Sequence, residues 1–158
     1  MAAKLKPNSL KTLALALLRV LVSGLFLAAG ILKLRDADAT LIAVYQYKLL
    51  SWQASGVVGT LLPFVEITMA LALWIPRVRL GAAVLCVCLN LLFLTALGSA
   101  LARNLDVSCG CFGTTDLYTT AARRMIEDAV LLFLSLVLLR GAVIEHSARL
   151  QSKLESGK

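Results

Sequence analysis

Charged residues are scarce in this sequence. Asp, Glu, Lys and Arg make up only 16% of its 158 residues, whereas hydrophobic residues make up 59%. An average globular domain is about one quarter charged and about half apolar. A soluble domain of this size could not hide so much apolar surface. The composition therefore excludes an ordinary soluble protein and indicates a single domain whose natural solvent is the lipid bilayer.

The sequence also lacks the basic stripe with interleaved aromatic residues that nucleic-acid binding requires. Its formal net charge is +7, but the lysines and arginines lie at the ends of apolar segments, where membrane proteins place them. The charge therefore predicts an orientation signal and contact with the lipid bilayer, and no nucleic-acid partner.

Four apolar stretches are long enough to cross a membrane, which takes about 20 mostly apolar residues. They run from Leu13 to Leu32, from Val57 to Ile75, from Val78 to Leu101 and from Ile126 to Ile144. We therefore predict an all-α membrane protein built as a four-transmembrane-helix bundle. It forms a single domain over residues 1–158, with a core at about 13–145.

The segment from Asp36 to Gln53, between the first two spans, mixes apolar, aromatic and basic positions. Such a pattern predicts a short interfacial helix, lying on or dipping into the membrane surface, between helices 1 and 2. Asp36 or Asp38 is placed to cap its amino terminus.

The distribution of Lys and Arg predicts the orientation. The side of the amino terminus holds nine of them: Lys4, Lys6, Lys11, Arg77, Arg79, Arg140, Arg149, Lys153 and Lys158. The opposite side holds six: Lys33, Arg35, Lys48, Arg103, Arg123 and Arg124. Because cytoplasmic segments are enriched in Lys and Arg, both termini are expected in the cytoplasm. The loop between the third and fourth spans then faces an oxidising compartment.

That loop contains the pentapeptide Cys109-Gly110-Cys111-Phe112-Gly113. Gly110 permits the backbone bend that lets cysteines two residues apart form a disulfide. In the chain-entropy model, so small a ring stabilises the fold by only about 1.6 kcal/mol before strain is subtracted. Strained, exposed disulfides are the labile and catalytic ones. The pattern therefore favours Cys109 and Cys111 as a catalytic redox pair over a structural staple.

Three arginines close in sequence to the loop, Arg103, Arg123 and Arg124, would favour the attacking thiolate if they approach it. Anchoring of the helix ends at the interface is an equally good interpretation.

A metal site is the main rival chemistry for the loop. Zinc usually needs four ligands, and this loop offers two sulfurs and no histidine, so we predict no metal. The cysteines of the third span, Cys86 and Cys88, are expected as small buried hydrophobes.

Glu66 is the unusual residue of the second span. A carboxylate at the bilayer centre costs about 2.5–3.5 kcal/mol, so its side chain should face the bundle interior. Asn90 and Arg19 are its expected partners. The favoured interpretation is a hydrogen-bonded clamp between helices; the alternatives are a proton or quinone site, or the substrate site of a small transporter.

Several motifs together resemble the MauE/DoxX-like family of four-helix membrane proteins, which is named for a methylamine utilisation protein. The first helix ends in Gly30-Ile31-Leu32-Lys33-Leu34, and Asp36 follows. Leu62-Pro63-Phe64-Val65-Glu66 lies in the second helix, Cys109 to Gly113 follows the third, and Arg123 or Arg124 precedes the last. The resemblance extends over about Leu13 to Leu139, and its specific parts are the cysteine motif and the Pro-Glu pair.

The resemblance implies a multi-pass protein of the bacterial inner membrane that takes part in periplasmic thiol–disulfide chemistry. Family members in methylamine metabolism support folding or disulfide formation in methylamine dehydrogenase. The implied partner is therefore a periplasmic thioredoxin-like protein or a maturing redox enzyme. Four-helix thiol oxidoreductases that use a quinone have a similar outline, so the resemblance allows a quinone cofactor. A non-catalytic scaffold subunit of a redox complex is the alternative.

Overall fold

The computed structural model of the chain describes residues 9–103 and 121–156. Regular structure in these residues is entirely helical and comprises α1 (Ser9–Arg35), α2 (Ala37–Gln46), α3 (Trp52–Ala72), α4 (Arg79–Ala102) and α5 (Ala121–Ser156). Each of α1, α3, α4 and α5 contains a segment long and apolar enough to cross a membrane, and α2 is the short helix between the first two. The predicted fold class, a four-helix membrane bundle, is confirmed.

The helices differ from the predicted spans mainly at their ends. α3 begins at Trp52 and ends at Ala72, a few residues before the predicted stretch at each end. α5 continues to Ser156, well past the predicted end at Ile144. The physical reason for the extension of α5 is that apolar run length reports the part of a helix that lies in hydrocarbon, whereas the helix itself continues through polar residues that favour helical backbone.

α2 is short because its ends are set by local hydrogen bonds. The Asp36 side chain accepts a hydrogen bond from the backbone N–H of Ala39 at 3.0 Å, so the predicted cap is confirmed. The Arg103 guanidinium, at the end of α4, donates to the backbone carbonyls of Tyr47 at 2.6 Å and Lys48 at 3.3 Å. This contact places the α2–α3 link beside the end of α4. We call this the loop end of the bundle, because residues 104–120 connect α4 to α5 there.

The opposite end, which we call the terminal end, carries the start of α1, the turn at residues 73–78 and the end of α5. Glu145 of α5 accepts a hydrogen bond from Arg19 of α1 at 3.1 Å. It also pairs with Arg79 of α4. One carboxylate therefore joins three helices, and each arginine side chain is almost nine-tenths buried.

The bundle is held together by an apolar core and by close approach at two glycines of neighbouring helices. The core includes Val22, Phe26, Met69, Leu73, Ala83, Cys86 and Leu138. A Cβ atom at Gly30 of α1 would lie 2.7 Å from Ile67 Cγ1 and 3.0 Å from the Pro63 carbonyl oxygen. A Cβ atom at Gly59 of α3 would lie 3.1 Å from the Leu41 backbone. α3 therefore packs closely against both α1 and α2.

Gly30→Ala tests the close approach of α1 and α3. The added methyl meets a backbone carbonyl that cannot move easily, and overpacking of this kind costs about 1–3 kcal/mol. We expect a lower midpoint of thermal unfolding in detergent micelles. Gly24→Ala is the matched control, because a Cβ atom there has nothing within 4 Å. Equal midpoints for the two variants would contradict the packing described here.

Candidate functional site

The predicted redox pair, Cys109 and Cys111, lies outside the described residues, as do Gly110, Phe112 and Gly113. Their roles stay predictions. The topology nevertheless fixes where their segment is attached, because residues 104–120 join the end of α4 to the start of α5 at the loop end. The described residues that bear on this chemistry are the helix ends on either side of the segment and the polar groups beneath them.

The arginines on either side of the segment have partners of their own. Arg123 donates from Nε to Glu127 Oε1 at 3.1 Å, and both side chains are exposed. Arg124 Nη1 lies 4.0 Å from the other Glu127 oxygen, and its side chain is only 12% exposed. Glu127 thus offsets part of the positive charge that was predicted to favour a thiolate in the loop.

Glu66 forms an ion pair with Lys33 inside the bundle. Both residues are almost completely buried, with 1% and 4% of their surface exposed. The Lys33 ammonium also lies 5.1 Å from the centre of the Phe93 ring, a distance typical of a cation–π contact. Three transmembrane helices therefore meet at Lys33: its own α1, α3 through Glu66 and α4 through Phe93.

The prediction that Glu66 faces the bundle interior is confirmed, but the expected partners were wrong. Arg19 pairs with Glu145 at the terminal end. The Asn90 amide donates to the Cys86 carbonyl at 3.0 Å and to Ser135 Oγ at 2.9 Å. The spacing of residues along helices does not give the rotation of each helix in the bundle, and that rotation decides which polar side chains meet.

A second polar group joins α4 to α5 beside the ion pair. Ser135 Oγ donates to the Leu131 carbonyl at 2.8 Å and accepts from Asn90 Nδ2. Cys86 Sγ lies 3.2 Å from the same hydroxyl, within hydrogen-bonding distance. Cys86 is buried as predicted, but Cys88 lies on the bundle surface, where the prediction of burial was wrong. Both thiols are free.

A cavity of about 40 Å³ separates these two polar groups. Its polar lining comes from Lys33, Glu66, Asn90 and Asp128, and Phe93 is among the apolar residues around them. A water molecule needs about 10–15 Å³ of such volume and two to four polar partners. The cavity therefore has room and partners for a few water molecules.

Sequence reasoning missed Lys33 as a site residue. It counted Lys33 among the surface cations because the residue lies near the end of its span. The signal that identifies it is the pair of family motifs quoted above: one contributes a single lysine at position 33, the other a single glutamate at position 66. Opposite charges in two apolar segments are expected to pair, since each would otherwise face hydrocarbon alone.

Comparison with known proteins matches most of the chain to one family. The sequence profile of a family described as methylamine utilisation protein MauE matches residues 11–141. The chain is 31% identical to methylamine utilization protein MauE of Paracoccus denitrificans over 125 residues, which is 78% of this chain and 67% of that protein. It is 38% identical to the protein of the same name from Methylophilus methylotrophus over 85 residues, 53% of this chain and 45% of that protein. No solved structure matches the chain.

The buried ion pair gives a test by double-mutant cycle. Removing one member leaves an uncompensated charge, so Lys33→Met or Glu66→Leu alone is expected to destabilise the bundle by about 3–5 kcal/mol. The double variant should be less destabilised than the sum of the two, because two apolar side chains replace the pair. The measurement is the free energy of unfolding in mixed micelles of increasing SDS content.

The exposed pair Arg123–Glu127 is the matched control for this cycle. Exposed ion pairs contribute about 0–1 kcal/mol, so Arg123→Met and Glu127→Leu should each have a small effect. Strictly additive effects of Lys33→Met and Glu66→Leu would show that the two side chains do not interact.

Proposed function

Because the chain belongs to the MauE family of methylamine utilisation proteins, we propose that it serves methylamine utilisation as a multi-pass membrane protein. We propose further that Cys109 and Cys111 exchange disulfides with a periplasmic partner, either a thioredoxin-like protein or a redox enzyme undergoing maturation. The protein thus acts as a membrane-bound thiol–disulfide oxidoreductase.

The observation that carries the proposal is the extent of the family match. Residues 11–141 include the cysteine motif and both members of the buried ion pair. The matched region is thus the bundle with its 104–120 segment. The aligned part spans 67% of one relative and only 45% of the other. That this chain shares the activity of those whole proteins is therefore part of the proposal.

Packing next to the loop supports this role. The helices that carry the 104–120 segment, α4 and α5, are cross-linked inside the bundle by the Asn90–Ser135 hydrogen bond of 2.9 Å. The end of α4 is tied to the α2–α3 link through Arg103. The segment with the two cysteines is therefore attached to helix ends that are held in place.

The chemistry needs no electron carrier other than the partner. A thiolate of one protein attacks a disulfide sulfur of the other, a mixed disulfide forms and one thiolate leaves. A second thiolate of the attacking protein then resolves the mixed disulfide. One protein ends with a disulfide and the other with two thiols. Two electrons and two protons have therefore moved to the protein that ends with the thiols. Quinone reduction is not part of the proposal.

The two alternatives receive different support. Lys33 argues against the transporter, because its ammonium occupies the position beside Glu66 that a transported cation would take. The Lys33–Glu66 pair is consistent with a non-catalytic scaffold, because it stabilises the bundle whether or not the cysteines react. The scaffold therefore remains the alternative against which the cysteines must be tested.

The proposal places the protein in the bacterial inner membrane with both termini in the cytoplasm. Lys33 on the outward side and Arg79 on the side of the termini are both largely buried in ion pairs. Leaving out both residues gives five lysines and arginines on the outward side and eight on the side of the termini. The difference between the two sides is therefore the same as in the sequence count, and that count supports cytoplasmic termini.

Trapping of a partner tests the redox pair. In the cell, Cys109→Ser or Cys111→Ser removes one sulfur, and the variant that lacks the resolving sulfur should retain a covalent complex with the partner. The complex should be visible on a non-reducing gel and lost on reduction. Cys88→Ser is the matched control, since that thiol lies outside the loop on the bundle surface. If neither loop variant traps a partner and the double variant keeps full activity, the scaffold is the better explanation.

The orientation has its own test. A membrane-impermeant maleimide should label the reduced thiols of Cys109 or Cys111 in intact spheroplasts, because the loop is expected to face outward. The variant in which both are replaced by serine should not be labelled, since Cys86 is buried and Cys88 lies within a span. Labelling that requires lysis would reverse the orientation and remove the argument from an oxidising compartment.

A further inference from the structure

The terminal end of the bundle contains a basic pocket that the proposed redox function does not use. It has a volume of about 170 Å³ and lies between the turn at residues 73–78 and the last part of α5. Its lining residues are Pro76, Arg77, His146, Arg149 and Leu150. Two of these are arginines and none is acidic, so the side chains of the pocket present positive charge and mainly hydrogen-bond donors.

Most of the donors in this pocket are available to a ligand. Arg149 donates from Nη1 to the Pro76 carbonyl at 2.7 Å, which holds α5 against the turn. A guanidinium has five N–H groups, and the others of Arg149 make no hydrogen bond with a described residue. Arg77 and His146 make no hydrogen bond or ion pair with any residue in the described ranges. The fold thus positions two guanidinium groups around a space without satisfying them.

The acidic residue next to the pocket in sequence does not neutralise it. Glu145 precedes His146 in the chain, but it is paired with Arg19 and Arg79 on another face of α5. Because two arginines already share that carboxylate, the charges of Arg77 and Arg149 remain uncompensated by it. An anion is therefore the class of ligand that this pocket favours.

The pocket is expected at the depth of the lipid headgroups. α5 has 36 residues and is about 54 Å long, whereas the hydrocarbon core of a bilayer is about 30 Å thick. The helix must leave the hydrocarbon, and its polar part begins at Glu145. Trp74 and Ile75 in the adjoining turn are 48% and 52% exposed, and Leu150 in the pocket is 51% exposed. Large apolar side chains beside two arginine side chains are typical of the membrane interface.

We propose that this pocket binds the headgroup phosphate of an anionic phospholipid. Arginine matches phosphate oxygens with paired, charge-assisted hydrogen bonds, and the exposed apolar side chains would contact the acyl region of the same lipid. The occupant is a lipid of the surrounding leaflet, held by Arg77 and Arg149 with His146 as a further donor. A free phosphate ion would use the guanidinium groups but gain nothing from Trp74, Ile75 and Leu150.

Native mass spectrometry of the full chain in detergent tests the proposal. Short-chain phosphatidylglycerol, phosphatidylcholine with the same acyl chains, and inorganic phosphate are titrated separately. We expect one phosphatidylglycerol to bind in preference to phosphatidylcholine. Arg77→Gln should weaken that binding about tenfold, as loss of a charge-assisted hydrogen bond does. Inorganic phosphate should bind much more weakly than the lipid.

The control variant is Arg35→Gln with Lys48→Gln, which removes two exposed charges at the loop end and should leave lipid binding unchanged. Since Arg77 makes no hydrogen bond or ion pair with a described residue, Arg77→Gln should also keep the wild-type unfolding midpoint without lipid, so that lost binding cannot be ascribed to misfolding. Equal binding of the two lipids, equal loss in the control variant, or phosphate binding as tightly as the lipid would each overturn the proposal.

Discussion

Hydrocarbon offers no partner to a charged group, so a charged side chain inside a membrane bundle must find its partner within the protein. In this chain Lys33 and Glu66 are partners of that kind. Two side chains that would each be costly in a bilayer are almost fully buried against each other. The pairing requires α1 and α3 to approach closely. Gly30, one turn before Lys33, permits that approach, because a Cβ atom there would meet Ile67 and the carbonyl of Pro63. The two motifs, Gly-x-x-Lys and Pro-x-x-Glu, are therefore two sides of one helix contact.

The remaining polar contacts divide the bundle into layers that each join different helices. Asn90 and Ser135 link α4 to α5 within the bundle. At the terminal end, Glu145 links α5 to α1 and α4. At the loop end, Arg103 links α4 to the α2–α3 connection. Because polar contacts in a membrane depend on direction more than apolar contacts do, these layers fix the relative rotation of helices whose apolar faces would allow several arrangements.

The number, type and order of helices followed from the sequence, because each apolar run had the length that a membrane demands. The interior orientation of Glu66 followed from its cost in lipid. The identity of its partner did not follow from the sequence, because pairing depends on the rotation of each helix. Lys33 also lies near the end of its span, where it resembled a surface cation. The continuation of α5 past Ile144 was missed because hydropathy does not report where a helix ends. The basic pocket at Arg77 and Arg149 arises only when a turn and a distant helix are brought together.

The proposed redox chemistry and the stability of the fold depend on different parts of the molecule. A disulfide between cysteines two residues apart would stabilise the chain by only about 1.6 kcal/mol before strain. Loss of one member of a buried ion pair costs about 3–5 kcal/mol. Opening and closing the Cys109–Cys111 bond would therefore change little in the free energy of unfolding, and the bundle can remain folded in both redox states. Such independence is what repeated thiol exchange requires, because the same helix ends must hold the loop before and after each transfer.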